Sequence, residues 1–261
     1  MDLHLAGQHA IITGAASGIG AAAALALAAE GASLTLADRD EPGLKDLAGE
    51  LGDDGAEVIT VTADLATAAG AAAAAAAGPE ADILVNNVGI CQFRAFGDLT
   101  DGDWDATWQT NVMSAVRMCR AVLPGMRARH YGVIVNMASD LARQPEPFAA
   151  DYAASKAAML SLTGVLARAE GPDVRVVAVA PGPILTPLWL REGGLAEHLA
   201  ATRGLPPREA AQAEIADRGI PAGRLGTPEE VASVITFVAS PRASYMTGCC
   251  VHVGGGSYRG I

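Results

Sequence analysis

The sequence has no excess of positive charge. Its 18 lysines and arginines are outnumbered by 29 aspartates and glutamates, giving a formal net charge of -11. That excludes the basic footprint a nucleic-acid surface requires. An anionic cofactor stays open, because backbone N–H groups at a helix start bind phosphate without any cationic side chain. Cysteine is scarce: Cys91, Cys119, Cys249 and Cys250 are the whole set, and two of them are neighbours, which suits no ordinary disulfide framework. No Cys-x-x-Cys pair occurs, and His4, His9, His130, His198 and His252 show no ligand spacing, so no metal site is expected. Reduced thiols point to a cytoplasmic protein. Long apolar runs are missing as well; the longest are strand-sized or alanine-rich, so no membrane span is expected. The opening MDLHLAGQ has no basic segment followed by an apolar core, and the expectation is that it is no signal peptide.

What is present is core material. With 51% hydrophobic and 18% charged residues the chain belongs to the globular class, not the disordered one. Its 261 residues suffice for one large domain or two small ones. No linker-like composition shift interrupts them, so residues 1–261 are expected to form one domain.

Residues 8–13, QHAIIT, read as a buried strand that runs into TGAASGIG at 13–20 and then into an alanine- and leucine-rich helix, Ala21–Glu30. Strand, turn and helix are the context that gives a glycine motif meaning. Gly14 permits the tight turn, and Gly18 and Gly20 let a pyrophosphate and the helix approach the backbone. The plainer alternative is a glycine-rich turn with no ligand. A second strand, Ala32–Ala37, ends at Asp38. An acid there accepts hydrogen bonds from both hydroxyls of an adenosine ribose and repels a 2′-phosphate. Ser17 in the glycine loop is not basic, so NAD is expected in preference to NADP. Arg39 could stack on adenine or meet a 2′-phosphate. The bland reading of Asp38 is a cap for the helix that starts near Glu41 and Pro42.

Further strands are expected at 57–62, followed by Asp64 and Leu65, and at Asp82–Val85, leading to NNVG at 86–89. Between them residues 66–78 are almost pure alanine, a helix that must pack weakly or very closely. A long helix is expected from Trp104 to Arg129, with Asn111 inside it, a poor residue for a helix interior. A fifth strand, 132–139, delivers Ser139 to its carboxyl tip, where open α/β sheets bind ligands. Strand Val174–Val179 ends in PGPILT at 181–186. Residues 187–222, with Trp189, Gly193 and Gly194 and helices near 195–203 and 207–218, break the rhythm and are the place for a substrate-covering insertion. Helix Pro228–Ala239 and strand Cys249–Val253 restore it. Alternation throughout implies a parallel sheet with helices on both faces.

Within 138–158 stand Ser139, Tyr152 and, four residues later, Lys156. Positions i and i+4 share a helix face, and an ammonium beside a phenol lowers its pKa toward the working range of an acid/base. A serine hydroxyl at the same spot could hold a carbonyl oxygen. Alone, Tyr-x-x-x-Lys is more often a surface pair.

Four pieces in order, TGAASGIG at 13–20, NNVG at 86–89, Ser139 with Tyr152 and Lys156, and PGPILT at 181–186, resemble the short-chain dehydrogenase/reductase family over essentially the full chain. The resemblance implies an α/β fold, a single-domain Rossmann-type doubly wound parallel sheet. It implies reversible hydride transfer between a secondary alcohol and its ketone with NAD(P). Tyr152 would be the general acid/base, and Lys156 would lower its pKa and bind the nicotinamide ribose. Ser139 would hold the substrate oxygen, and Asn111 would anchor a water linking Lys156 to a proton relay. Ser17, Gly18, Ile19, Asn87 and Gly89 would border the cofactor. Asp64 and Leu65 would frame its adenine, Pro181 and Gly182 would also bind the cofactor, and Ile184 and Thr186 would contact its carboxamide. The family is dimeric or tetrameric, and helices 104–129 and 150–170 would supply the interface. Two positions depart from its pattern: Val88, where alanine is usual, and Gly254, where aspartate is usual.

The substrate, a small alcohol or ketone, is expected to meet LARQPEPF at 141–148. Leu141 would line its pocket, and Arg143 or Gln144 could meet a carboxylate or thioester carbonyl, unless Arg143 is simply solvent-facing. Trp189, with Leu188 and Leu190, could form an apolar lid or merely pack the insertion. Among family activities the pattern also resembles 3-oxoacyl-(acyl-carrier-protein) reductases, the runner-up. A non-catalytic dinucleotide-binding regulator would be expected to have lost the tyrosine or lysine, and a halohydrin-lyase-like use would need a degraded glycine loop.

Overall fold

Alternation of two apolar faces along each strand sets the architecture, which a computed structural model describes for every residue except Arg191, Gly193 and Ile261. His9–Thr13 (β1), Ser33–Asp38 (β2), Val58–Thr62 (β3), Ile83–Asn86 (β4), Gly132–Met137 (β5), Val174–Pro181 (β6) and Cys250–Val253 (β7) form a parallel sheet ordered β3-β2-β1-β4-β5-β6-β7. The helices are Gly18–Ala29 (α1), Glu41–Asp53 (α2), Ala68–Ala77 (α3), Asp101–Trp108 (α4), Ser114–Arg129 (α5), Ala150–Glu170 (α6), Pro187–Leu190 (α7), Leu195–Arg203 (α8), Pro207–Asp217 (α9) and Pro228–Ala239 (α10). Successive strand residues point to opposite faces. Ile12, Val85, Val135 and Val177 pack under α1, α2 and α10. Ile11, Leu84, Ile134 and Val176 pack with α3, α5 and Ala167 of α6. The result is the doubly wound α/β sheet. The order in which successive strands are added reverses between β1 and β4, and the carboxyl ends of these parallel strands open a crevice there. Among the described residues no helix is long and apolar enough to cross a membrane.

Helix ends differ from expectation where backbone chemistry intervenes. α1 starts at Gly18, not Ala21, because the last turn of the glycine loop is already helical. The alanine-rich α3 packs very closely: Ala71 and Ala74 are buried against α5, and a Cβ on Gly70 would lie 2.1 Å from Asp64 O. The long helix expected from Trp104 begins at Asp101, where Thr100 and Asp103 form a capping box. It is then interrupted by a π-helical turn, Gln109–Met113, that contains Asn111. The insertion carries α7, α8 and α9, with Gly193 outside the described residues. Its Trp189, Leu195 and Leu199 form a separate apolar cluster with Phe93 and Phe148.

The glycine turn tolerates no added carbon. A Cβ on Gly20 would lie 2.1 Å from Gly14 O and 2.6 Å from Asn87 Nδ2. Gly20→Ala is therefore expected to cost about 2 kcal/mol or more, since overpacking here meets backbone. Gly49→Ala, at an exposed position of α2 with nothing within 4 Å, is the control, expected to be neutral or stabilising by up to ~1 kcal/mol. Urea unfolding of both variants measures the contrast.

Candidate active site

The ends of β1 and β4 are stitched together around the glycine turn. Thr13 Oγ1 donates to Val85 O at 3.2 Å and accepts from Asn87 N at 3.0 Å and Val88 N at 3.2 Å. Asn87 Nδ2 donates to Thr13 O at 3.1 Å and Gly14 O at 2.9 Å. Gly14, at φ +66°, lets Val88 come so close that a Cβ would lie 2.8 Å from Val88 Cα. No side chain caps α1 and its first turn carries no acid, so its free N–H groups and positive dipole end remain available to an anion. Asp38 closes the far end: Oδ2 accepts from Ala16 N and Oδ1 from Asp40 N, each at 3.1 Å. The cap of α2 is Asp40, whose carboxylate accepts from Gly43 N, so Asp38 is not the cap.

From Asp38 a cavity of about 640 Å³ runs past the glycine turn to Trp189. Gly14, Ser17, Gly18, Ile19, Asp38, Arg39, Asp64, Leu65, Asn87 and Gly89 line one part of it. Pro181, Gly182, Ile184 and Thr186 line another. Thr186 stands over the glycine turn, 3.4 Å from where a Gly18 Cβ would be. Gly20 lies behind the wall. The shape and the uncapped helix start fit a dinucleotide: a phosphate-binding turn, an acid at the adenosine end and a deep reactive end.

At that reactive end Ser139, Tyr152 and Lys156 come together. Ser139 lies just beyond β5, two residues past the expected strand's observed end at Met137, and the chain turns there into a 3₁₀ segment, Asp140–Ala142. α6 carries Tyr152 and Lys156 on one face, and its start is tied to α4 by Thr107 Oγ1 donating to Asp151 Oδ2 at 2.5 Å. Lys156 is 4% exposed; its Nζ donates to Met137 O at 2.8 Å and lies 5.5 Å from the centre of the Tyr152 ring. Burial pushes the lysine down to about 8, against a smaller opposite pull from the Cys91 thiol. Burial also pushes the Tyr152 phenol up, aided by Cys91 and Asp140, while only the hydrogen bond with Ser139 pulls it down. The expected lowering of the phenol by Lys156 is thus absent: desolvation outweighs charge proximity.

Asn111 does not border the cavity. Its Nδ2 donates to Ile90 O at 2.9 Å and Ser155 Oγ at 3.0 Å, and its Oδ1 accepts from Ile90 N at 2.8 Å. The side chain braces the segment after β4 against α6, which explains an asparagine at a helix position. Leu141 and Trp189 line the cavity as expected. Arg143 and Gln144 do not. Gln144 Nε2 donates to Ser257 O at 3.2 Å, and Arg143 sits 5.9 Å over the Tyr258 ring. The 3₁₀ segment turns both away, and the C-terminal tail supplies their partners. Phe148, in the expected 141–148 run, lines the cavity, whereas sequence reasoning missed Cys91, Asp140 and Arg218 in the wall. Adjacency to Ser139 could have flagged Asp140; nothing local marks Arg218.

A family model described as enoyl-(acyl carrier protein) reductase matches residues 14–258. The chain is 36% identical over 258 residues to a 3-oxoacyl-[acyl-carrier-protein] reductase of Vibrio cholerae, covering 98% of this chain and 99% of that protein. Among solved structures, L-sorbose reductase from Gluconobacter frateurii complexed with NADPH and L-sorbose is 36% identical with TM-score 0.94, covering 100% of both chains. The 3-ketoacyl-(acyl-carrier-protein) reductase from Brucella melitensis complexed with NADH is 33% identical with TM-score 0.82, covering 97% of this chain and 99% of that one.

Burying the ammonium has a measurable cost. The lysine falls from 10.5 to about 8 on folding, so between those values the folded chain binds fewer protons than the unfolded one. Stability from this group therefore rises with pH across that window and is lowest below it. Lys156→Met is expected to stabilise the ligand-free protein near neutral pH. The gain is bounded by ~3 kcal/mol from the shift and reduced by leaving Met137 O without its donor, so a net gain of ~1 kcal/mol is expected. It should shrink in alkaline solution. Urea unfolding of both proteins at the two conditions tests the sign, and a variant equally destabilised at both would contradict it.

Proposed function

The chain belongs to the short-chain dehydrogenase/reductase family and is a nicotinamide-dinucleotide oxidoreductase, and from that premise we propose that Tyr152 is its general acid/base in the interconversion of a secondary alcohol and a ketone. The observation that carries this reading is the convergence of Ser139, Tyr152 and Lys156 at the deep end of the cavity, beside the glycine turn. Ser139 Oγ holds the substrate oxygen, and Tyr152 gives or takes its proton. Lys156 orients the bound ribose and keeps a positive charge beside the phenol. Asn111 positions Ile90 and Ser155 through its hydrogen bonds, and with them the segments beside that lysine. When bound, the nicotinamide supplies or accepts the hydride. Phe93, Phe148 and the insertion exclude water from the reacting atoms.

NAD is the preferred form in this reading. The Asp38 carboxylate faces the cavity at its adenosine end, and it repels a 2′-phosphate. Arg39 beside it is the group that would take such a phosphate if NADP were preferred. Reduction of a 3-oxoacyl thioester is the second reading, favoured by the likeness to the Vibrio cholerae enzyme. The protein acts as one catalytic domain, with α7 to α9 covering the substrate. It is a homo-oligomer through α5 and α6, where Val165 is 60% exposed, and its reduced cysteines suit the cytoplasm.

Tyr152→Phe is expected to lower turnover at least 10²-fold while NADH still binds, since proton transfer contributes 10²–10⁴-fold. Ketone reduction kinetics and NADH fluorescence titration measure the two; turnover within about tenfold of wild type would remove the acid/base assignment. NADH binding without turnover of any ketone or alcohol would revive the regulator reading. For the cofactor, NADH is expected to bind at least about tenfold more tightly than NADPH, and Asp38→Ser to close that gap by removing the repelling charge. Tighter NADPH binding by the wild type would reverse the preference.

A further inference from the structure

Beyond Ser139 two charged side chains, Asp140 and Arg218, each hold a buried atom that makes no hydrogen bond among the described residues. Asp140 is 4% exposed. Its Oδ1 accepts from Ser139 Oγ at 3.1 Å, but its Oδ2 makes no hydrogen bond among the described residues. Arg218, the residue after α9, brings Nη2 to 3.6 Å from that Oδ2 and 3.7 Å from Glu146 Oε1. This nitrogen also makes no hydrogen bond among the described residues. Asp140 and Arg218 both line the reactive end of the cavity. An unmet buried donor or acceptor is costly, more so when charged, so a bound group that satisfies both gains strongly over one that satisfies neither.

The chemistry of that group follows by elimination. An alkyl chain would leave both atoms unmet. A carboxylate would pair with Arg218 but face Asp140 and Glu146, two negative charges against one positive. A hydroxyl both accepts and donates: it can accept from Arg218 Nη2 and donate to Asp140 Oδ2 at once. One carboxylate spans the two positions, with Oδ1 on Ser139 and Oδ2 toward Arg218. Oxygens on neighbouring carbons of one substrate can then reach Ser139 and the pair together.

We propose that Asp140 and Arg218 form a subsite for a second substrate hydroxyl, on the carbon next to the reacting one, so that the enzyme interconverts a vicinal diol and an α-hydroxy ketone. The proposal rests on the oxidoreductase reading above and narrows it. Only the reacting carbon changes oxidation state. In reduction that carbon gains a hydride from NAD(P)H and its oxygen gains a proton from Tyr152, while the second hydroxyl keeps its own proton. Arg218 arrives from the insertion, so the segment covering the site also carries half of its selectivity.

The test compares 1-hydroxy-2-butanone with 2-butanone and with a 3-oxobutanoate ester, each with NADH and with NADPH. Wild-type kcat/KM for the hydroxy ketone is expected to exceed that for 2-butanone at least about thirtyfold, because a site built to hydrogen-bond a hydroxyl discriminates against the analogue lacking it. In Arg218→Leu that ratio should collapse toward one, and Arg218→Lys should restore part of it. A general loss of structure would lower both rates and leave the ratio standing. The subsite is overturned by a wild-type ratio within about threefold, by a ratio unchanged in Arg218→Leu, or by preference for the oxo ester. The wild-type ratio decides even if a variant fails to fold. Failure to turn over any ketone with either nucleotide overturns the oxidoreductase reading and the subsite with it. Turnover of all three without preference overturns the subsite alone.

Discussion

A nearly dry ammonium is the constraint on which the site depends. Lys156 is driven into the end of the sheet by α6, and its ammonium donates to a main-chain carbonyl, Met137 O, at the last residue of β5. Carbonyls inside a sheet are committed to neighbouring strands, so an ammonium can find one only at a strand end. That places the lysine at the carboxyl edge, and the α6 spacing then places Tyr152 one turn earlier. The segment after β4 must leave it room. A Cβ on Gly89 would stand 3.5 Å from Nζ and 3.4 Å from Asn111 Oδ1, filling the space between them. The strand ends, the helix spacing and the glycine thus answer to one buried charge.

The π-helical turn belongs to the same requirement. Asn111 must meet both polar groups of Ile90 and also Ser155 on α6. A straight α-helix from Asp101 to Arg129 offers one side-chain direction per position; the wider turn at Gln109–Met113 shifts that direction for Asn111. A hydrogen-bond shift of one residue has no compositional signature, so the interruption could not be read in advance, although an asparagine in a helix interior was a sign that something local was unusual. The start at Asp101, by contrast, carries a signal legible in the sequence, the capping box of Thr100 and Asp103.

The strands and the dinucleotide turn could be read because their signals are local: apolar alternation, glycines at fixed offsets, an acid at the end of β2. The substrate side could not, because its partners are set by tertiary contacts. Arg143 and Gln144 stand in sequence between Ser139 and Tyr152 and looked like pocket residues. In the fold Ser257, Tyr258 and Arg259 claim them. Arg218 reaches the pocket from a helical insertion, and no local motif in the sequence marks its position. Position between catalytic residues therefore predicts proximity, not orientation.

For the acid/base pair proposed above, burial and activation need not oppose each other. Taken singly, desolvation drives Tyr152 up and Lys156 down, each toward its neutral form. At about 8 the lysine still holds its proton at neutral pH, and the phenol still holds its own. A protonated phenol is the state that can deliver a proton, as the proposed ketone reduction requires. When the phenol loses that proton, an anion appears beside an ammonium in the same poorly screened space. Attraction between charges grows as the surrounding dielectric falls. The lysine therefore contributes little to the resting phenol and most to the phenolate, the species present only as the reaction proceeds. Stabilisation confined to that moment is the kind that raises turnover rather than tightening the ground state.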